Sequence, residues 1–390
     1  MADSLGFLGK AAFRKDRGLY GAGPVITYPQ TPGAADLAAT HMLPFDAESM
    51  GKAIERSQDV ALVGAGRPEP TDIIKMTPAG SVGGSLRYQG WERLMLCAMG
   101  YENPQDSPVQ LGVTSAYAHL FELDDTLQDE TWRANELDGY TPTSTYDKKV
   151  RRGMLGLAKQ VNDWVWQSVM VNKMTLSGNN DEVKINFDLA GYDLVKGAYN
   201  SANWTLPVGS TAQSLFQQAE VKIGPYGGGA GAMTIYEPSS FELVLDNKLK
   251  TDDFTTESGP NIIQPVRSDF REVSFKIEFP RYYTLLDLFQ SLFDLDTEHM
   301  ISIVLTGPQI GSTGYYYQWS FFLPLVVPKD IGQMPIAGSG PLQTTFEFDA
   351  HRPGTDKFIA GSYLGITNLK DSELIVMVQN STTTNYLLET

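Results

Sequence analysis

The stretch "DEVKINFDLAGYD" (residues 181–193) alternates apolar and polar side chains. The apolar members are Val183, Ile185, Phe187 and Leu189, and charged or amide side chains stand between them. Successive side chains of a β-strand point to opposite faces of its sheet, so this period of two predicts a strand with one buried face.

The same alternation occurs elsewhere in the chain. It recurs in "SFELVLD" (residues 240–246), "EVSFKIEF" (residues 272–279) and "QTTFEFDAHRP" (residues 343–353). Strands with one apolar and one polar face are typical of antiparallel sheets that have a solvated side. The sequence therefore predicts an all-β dominated fold with short helices.

Length and charge narrow the range of functions. A chain of 390 residues exceeds the usual size of one hydrophobic core, which predicts two domains. The net charge of −16 opposes tight binding to nucleic acid. An acidic surface would instead let DNA move past without sticking.

The sequence predicts a soluble protein without an internal disulfide that stays in the cell that makes it. Cys97 is the only cysteine, so no disulfide forms within the chain, and its apolar neighbours predict a small buried side chain. The longest apolar run, residues 319–327, contains a proline and is too short for a membrane helix. The first residues lack the pattern of a secretion signal.

The chain divides into two halves that repeat the same order of elements. We expect an extended arm over residues 1–40, a first β domain over 41–200 and a linker over 201–215. A second β domain follows over 216–355, and 356–390 form an extension with a strand.

In the first half a strand precedes a helix, "GWERLMLCAMG" (residues 90–100), with Gly100 at its end. "YYTLLDLFQSLFD" (residues 282–294) is its counterpart, which predicts a tandem repeat.

No motif indicates catalysis, a cofactor or a metal. "DVALVGAGRPEPTD" (residues 59–72) resembles a dinucleotide-binding turn but has Glu69 at the third glycine position and prolines where a helix should begin. The four histidines are scattered, without metal-ligand spacing. The acidic cluster around Asp124 is more typical of a solvated loop than of a glycosidase pair. We therefore predict a non-enzymatic protein.

Several motifs together resemble the tail tube proteins of long, non-contractile tailed bacteriophages. They are "GLYGAGPVITYPQTP" (residues 18–32), "LPFDAESM" (residues 43–50), "GSVGGSLRYQGWERLMLCAMG" (residues 80–100) and "VNKMTLSGNNDEVKINFDLAGYD" (residues 171–193). The C-terminal half echoes them with "SSFELVLDN", "REVSFKIEF" and "LQTTFEFDAH". The resemblance covers residues 18–355.

This resemblance implies two tandem β-sandwich or barrel domains, each with a flanking short α-helix. It implies a structural virion protein of the tail, made in the bacterial host cytoplasm, whose rings stack into the tube through which the genome is ejected. Its partners would be other copies of itself, the tape measure protein, the tail terminator and baseplate proteins, and viral DNA passing without specific binding. The doubled length favours homotrimeric rings with pseudo-sixfold symmetry over hexamers.

A long segment between two strands predicts a contact between rings. Residues 124–152 are acidic at one end and basic at the other, and this charge asymmetry suits head-to-tail stacking. The predicted contact residues are Asp124, Asp125, Asp129, Glu130, Trp132, Lys148, Lys149, Arg151 and Arg152.

Two other functions remain open at this point. The first is another tail component with the same fold, either a baseplate hub or a tail-completion protein. The second is a carbohydrate-binding β-sandwich that uses tryptophans as sugar platforms, with Trp132, Trp164, Trp166 and Trp204 as candidates.

Overall fold

A computed structural model gives the architecture of the chain. It describes residues 9–15, 37, 41–57, 72–102, 108–111, 115–123, 152–159, 162–179, 181–197, 199, 201–207, 211–227, 232–254, 259–262, 265–280, 298–330, 344–353, 372–383 and 386. The protein is dominated by antiparallel β-strands, as the alternating patterns predict.

The strands of the first half surround one α-helix. They are β1 (Lys10–Lys15), β2 (Met42–Leu43), β3 (Ala47–Glu48), β4 (Gly51–Ser57), β5 (Asp72–Ser85), β6 (Gly100–Glu102), β7 (Val109–Gln110), β8 (Tyr117–Leu123), β9 (Arg152–Ala158), β10 (Asp163–Asn179), β11 (Val183–Ala190) and β12 (Leu194–Gly197). The helix, α1, spans Glu92–Met99 and lies between β5 and β6.

The second half adds the remaining strands, and two short 3₁₀ helices precede them. They are β13 (Ala219–Pro225), β14 (Thr234–Tyr236), β15 (Ser240–Asp246), β16 (Leu249–Lys250), β17 (Val266–Arg267), β18 (Glu272–Phe279), β19 (His299–Gln309), β20 (Tyr316–Asp330), β21 (Thr344–Ala350) and β22 (Ile375–Asn380). Short 3₁₀ helices occupy Ser201–Asn203 and Phe216–Gln218.

The helix α1 ends where the sequence predicts. Gly100 follows its last residue with φ +89°, a left-handed conformation that glycine adopts without steric cost, and its N–H donates to the Leu96 carbonyl. All eight helical residues are buried, including Glu92 and Arg93. Cys97 is among them and is 3% exposed, which confirms its prediction as a small buried side chain.

The two halves have the same order of strand pairing. In the first half the antiparallel order is β2, β1, β9, β10, β11, β5, β4, with β12 pairing beside β11 on β10. In the second half it is β14, β13, β19, β20, β21, β18, β15, with β22 pairing beside β21 on β20. Each strand of one series therefore has a counterpart in the other.

Two ladders join these halves, so hydrogen bonding continues across the predicted domain boundary. The end of β10 pairs with β15 from Lys173 opposite Asp246 to Asn179 opposite Ser240. β22 pairs with β8, from Ile375 opposite Glu122 to Asn380 opposite Tyr117. The C-terminal strand thus lies between β20 and β8 of its own chain.

The core fills the space beneath the apolar side of this sheet. Its largest fully buried side chains are aromatic and come from both halves: Trp91, Trp166, Trp204, Trp319, Tyr88, Phe13, Phe121, Phe187, Phe275, Phe279, Phe321 and Phe346. Trp91 and Phe187 lie with ring centroids 5.9 Å apart, which brings α1 against β11. Burying aromatic surface of this size is the main stabilising contribution to such a core.

Two segments differ from the sequence prediction, and a third lies outside the described residues. Part of the predicted arm is β1, which pairs with β9 and β2, because "KAAF" offers an apolar face to the core. The predicted linker is held against the first half, since Trp204 is 1% exposed and Ser214 exchanges backbone hydrogen bonds with Leu86 and Val183. The predicted second helix, residues 282–294, lies outside the described residues.

Candidate functional site

One face of the joined sheet is polar and mostly acidic. On β11, β15, β18 and β21 the apolar residues other than Val244 are buried, and the residues that alternate with them are exposed or partly exposed. The carboxylates at these positions are Asp188, Glu242, Asp246, Glu272, Glu278, Glu347 and Asp349. The lysines, with one from β10, are Lys173, Lys184 and Lys276.

Strand register places these charges on the same side of the sheet. Residues directly opposite each other in an antiparallel ladder share a face. Lys173 lies opposite Asp188 on one side and opposite Asp246 on the other. Glu242 likewise lies between Ser177 and Lys276. The polar surface therefore runs without interruption from β11 in the first half to β21 in the second.

Two lysines, one on this face and one beside it, lie close to carboxylates. Lys276 Nζ lies 3.4 Å from Glu278 Oε1, and Lys248 Nζ lies 2.9 Å from Glu272 Oε2 and 3.1 Å from Asp246 Oδ2. Hydrogen bonds to Glu272 and then to Asp246 raise the pKa of Lys248 above its ordinary value. An ion pair cancels one charge of each sign, and the face has seven carboxylates to three lysines, so the unpaired carboxylates determine its net potential.

The joint between the halves contains a buried amide. Asn247 follows β15, is 6% exposed, and its Nδ2 donates to the carbonyls of Ala98 and Val171, both at 3.1 Å. Ala98 lies in the last turn of α1, where carbonyls lack partners within the helix. Val171 precedes a register shift in β10. One side chain thus satisfies two carbonyls that regular secondary structure leaves open.

A second buried polar cluster holds the end of β22 against the first half. Glu92 Oε2 accepts from the Gly90 N–H at 2.6 Å, and its Oε1 accepts from Asn380 Nδ2 at 3.1 Å. Desolvation raises the pKa of Glu92 above its ordinary value. Beside it, His119 Nδ1 lies 2.9 Å from Glu102 Oε1, with both side chains inaccessible to solvent.

The same cluster contains the residues that follow β22. His119 Nε2 lies 3.0 Å from the Thr382 carbonyl, and the Tyr386 ring lies beside His119, tilted by 43° with centroids 4.9 Å apart. Burial raises the pKa of Tyr386 well above its ordinary value. These contacts bind the C-terminal segment to β8 and α1, so their role is to hold the two halves together.

The predicted ring-contact residues divide into two groups. Arg152 is the first residue of β9 and is 6% exposed, because its pairing with Met170 draws it into the sheet. Arg152 therefore lies in a strand and not in the segment between the strands, and its role in a ring contact stays a prediction. The other eight, Asp124, Asp125, Asp129, Glu130, Trp132, Lys148, Lys149 and Arg151, lie outside the described residues.

Two of the four tryptophans predicted as sugar platforms are buried. Trp166 and Trp204 are each 1% exposed, so neither presents a ring face to solvent. Trp164 is partly exposed and Trp132 lies outside the described residues.

Among the described residues, no group of three or more His, Cys, Asp or Glu side chains is arranged to hold a metal ion. Within the same part of the chain, no helix has the length and apolar character needed to cross a membrane. Comparison of the chain with protein-family models and with characterised proteins gives no match.

Proposed function

We propose that this chain is a structural protein of a bacteriophage tail, whose copies form rings that stack into the tube for genome ejection. The observation that carries the proposal is the acid-rich polar face that runs continuously across both halves of one sheet. In a ring, this face would line the channel. DNA phosphates would then meet carboxylates and pass without forming ion pairs.

The equivalent order of strand pairing in the two halves supports a tandem duplication. Each half would then contribute one unit to the ring, and three chains would give six units. The sequence resemblance to tail tube proteins supports the same assignment, with the virion tail as the location. The tape measure protein, tail terminator and baseplate proteins would be the other partners.

Electron microscopy of the purified protein tests the proposal. The protein is concentrated stepwise, imaged in negative stain, and its mass is measured on the same samples. Hollow rings with the mass of three chains, and tubes at higher concentration, are the expected result. Compact monomers at every concentration and salt condition would overturn it. A single capping ring that never extends would assign the chain to a hub or tail-completion role instead.

The predicted stacking contact has its own test. Removing residues 129–146 shortens the segment with asymmetric charge and leaves β8 and β9 intact. We expect the shortened protein to form single rings that do not polymerise. Tubes of normal length would contradict a stacking role for this segment and leave ring formation unaffected.

A further inference from the structure

Among the described residues, the second half has no ladder equivalent to the one between β10 and β15. β9 covers one edge of β10 as far as Met170, and β15 covers the same edge from Lys173 onward. In the second half, β19 covers the corresponding edge of β20 as far as Val326. Among the described residues, no strand covers that edge beyond Val326.

The first half contains the matching unoccupied edge. Residues 46–51 lie beside β5 in the way that β15 lies beside β18: Glu48 is opposite Val82, and Gly51 is opposite Ala79. Their other edge has no ladder within the described part of the chain. Asp46, Ala47, Ser49 and Gly51 are exposed there.

We propose that residues 46–51 of one copy pair antiparallel with the end of β20 in the next copy, which repeats the β10–β15 ladder between chains. This inference rests on the proposed function and names the surfaces that close the ring. The occupant of each edge is a second copy of this chain, because the complementary edge lies on the other half of the same molecule. Exposed strand edges favour pairing with another strand, and a closed ring leaves none open.

The internal ladders also give the register between chains. Phe187 lies between Met174 and Val82, and Phe348 lies between Pro328 and Phe275. Both phenylalanines are fully buried and both precede an aspartate, so we match these two positions.

One step along the strands, Lys173 is opposite Asp188 and Val327 is opposite Asp349. Lys173 and Val327 are therefore equivalent positions, the first on β10 and the second on β20.

The edge strands are matched in the same way. Leu243 lies opposite Phe275, and Glu48 lies opposite Val82, the equivalent of Phe275. Three residues further along, Asp246 corresponds to Gly51. Since Lys173 pairs with Asp246 within the chain, Val327 of one copy should lie directly opposite Gly51 of the next.

Apolar side chains beside this edge fit the same interface. Ile54, Ile73 and Ile74 lie on the β4–β5 hairpin and are 46%, 40% and 57% exposed. The corresponding segment of the second half, after β15, packs on the first half through Asn247 and through Phe254, whose ring lies under Lys75 Nζ at 4.8 Å. The exposed isoleucines would make the equivalent contact with the neighbouring copy.

Disulfide trapping tests this pairing. In the full-length double variant Gly51→Cys/Val327→Cys, oxidation should link chains into covalent dimers and trimers, with no larger species, on non-reducing gels. A Cβ at Gly51 meets nothing closer than 3.8 Å, so the cysteine fits. The native Cys97 is buried and stays in place.

Two matched variants control for folding and register. Lys173→Cys/Asp246→Cys should close a disulfide within one chain and leave the mass unchanged, which reports that the sheet has formed. Ser57→Cys/Val327→Cys moves the first cysteine to the far end of β4 and should give no more linked chains than either single variant.

Electron microscopy of the same samples separates the two proposals. Hollow rings without linkage between chains above the Ser57 control would overturn this pairing and leave the tube function standing. Linked trimers without hollow rings would support the pairing and count against the tube. Monomers without linkage, with the internal disulfide formed, would overturn both.

Discussion

Replacement of Asn247 by leucine tests whether the joint between the halves contributes to stability as its geometry indicates. Leucine has the same number of side-chain heavy atoms and the same branching but no donor, so the carbonyls of Ala98 and Val171 both lose their partner. A buried acceptor left without a hydrogen bond costs about 1–3 kcal/mol. Two such acceptors, offset slightly by the more apolar side chain, predict a loss of about 2–5 kcal/mol in the free energy of unfolding.

The assay is urea denaturation followed by tryptophan fluorescence. Asn186→Leu is the matched control, because Asn186 lies on the polar face and donates only to the neighbouring Asp188. Its effect should remain within about 0.5 kcal/mol. If Asn247→Leu also changed the midpoint by no more than this, with an unchanged slope, the buried amide would not stabilise the joint.

Three further predictions concern the core, the buried acid and the polar face. Phe187→Ala removes a fully buried ring beside Trp91 and should cost about 3–5 kcal/mol in thermal or chemical unfolding, whereas a loss below about 1 kcal/mol would contradict its place in the core. The pKa of Glu92 is raised in the folded state, so the folded protein binds this proton more tightly than the unfolded chain does. The contribution of that proton to the free energy of unfolding is full below the ordinary pKa of 4.5 and is lost as pH rises through the folded pKa. The stability of wild type relative to Glu92→Gln, from denaturation midpoints across about pH 4 to 8, should therefore fall as pH rises, and a flat difference would refute the shift. Glu242→Lys/Glu278→Lys should make the assembled protein retain duplex DNA in low salt and release it in high salt, and retention equal to wild type would argue against a DNA-facing surface.

Local patterns predict the strands and the end of the helix, because alternation and a left-handed glycine act within a few residues. The alternation around Phe187, Leu243 and Phe275 gives β11, β15 and β18 with the correct buried faces. The end of α1 at Gly100 follows for the same reason. These features need no knowledge of distant parts of the chain.

The contacts between the halves could not be predicted in this way. Which strand covers the end of β10 depends on where strands from distant parts of the chain lie in the sheet, and nothing in the sequence around Lys173 specifies Asp246 as its partner. Glu92 and Arg93 are polar members of a helix and would be expected at the surface. They are buried where Asn380, at the end of β22, contacts Glu92 and Tyr386 contacts Arg93, nearly 300 residues away in sequence.

The position of β22 also has a consequence for biosynthesis. β8 pairs with a strand that the ribosome makes much later: Leu123 and its hydrogen-bond partner Ser372 are 249 residues apart. At about 5–20 residues per second, β8 waits roughly 12–50 seconds for this partner to be made. Contacts of such long range also slow folding. Completion of the first half is therefore coupled to synthesis of the second, and a nascent chain cannot present a finished sheet to its neighbours before most of it has been translated.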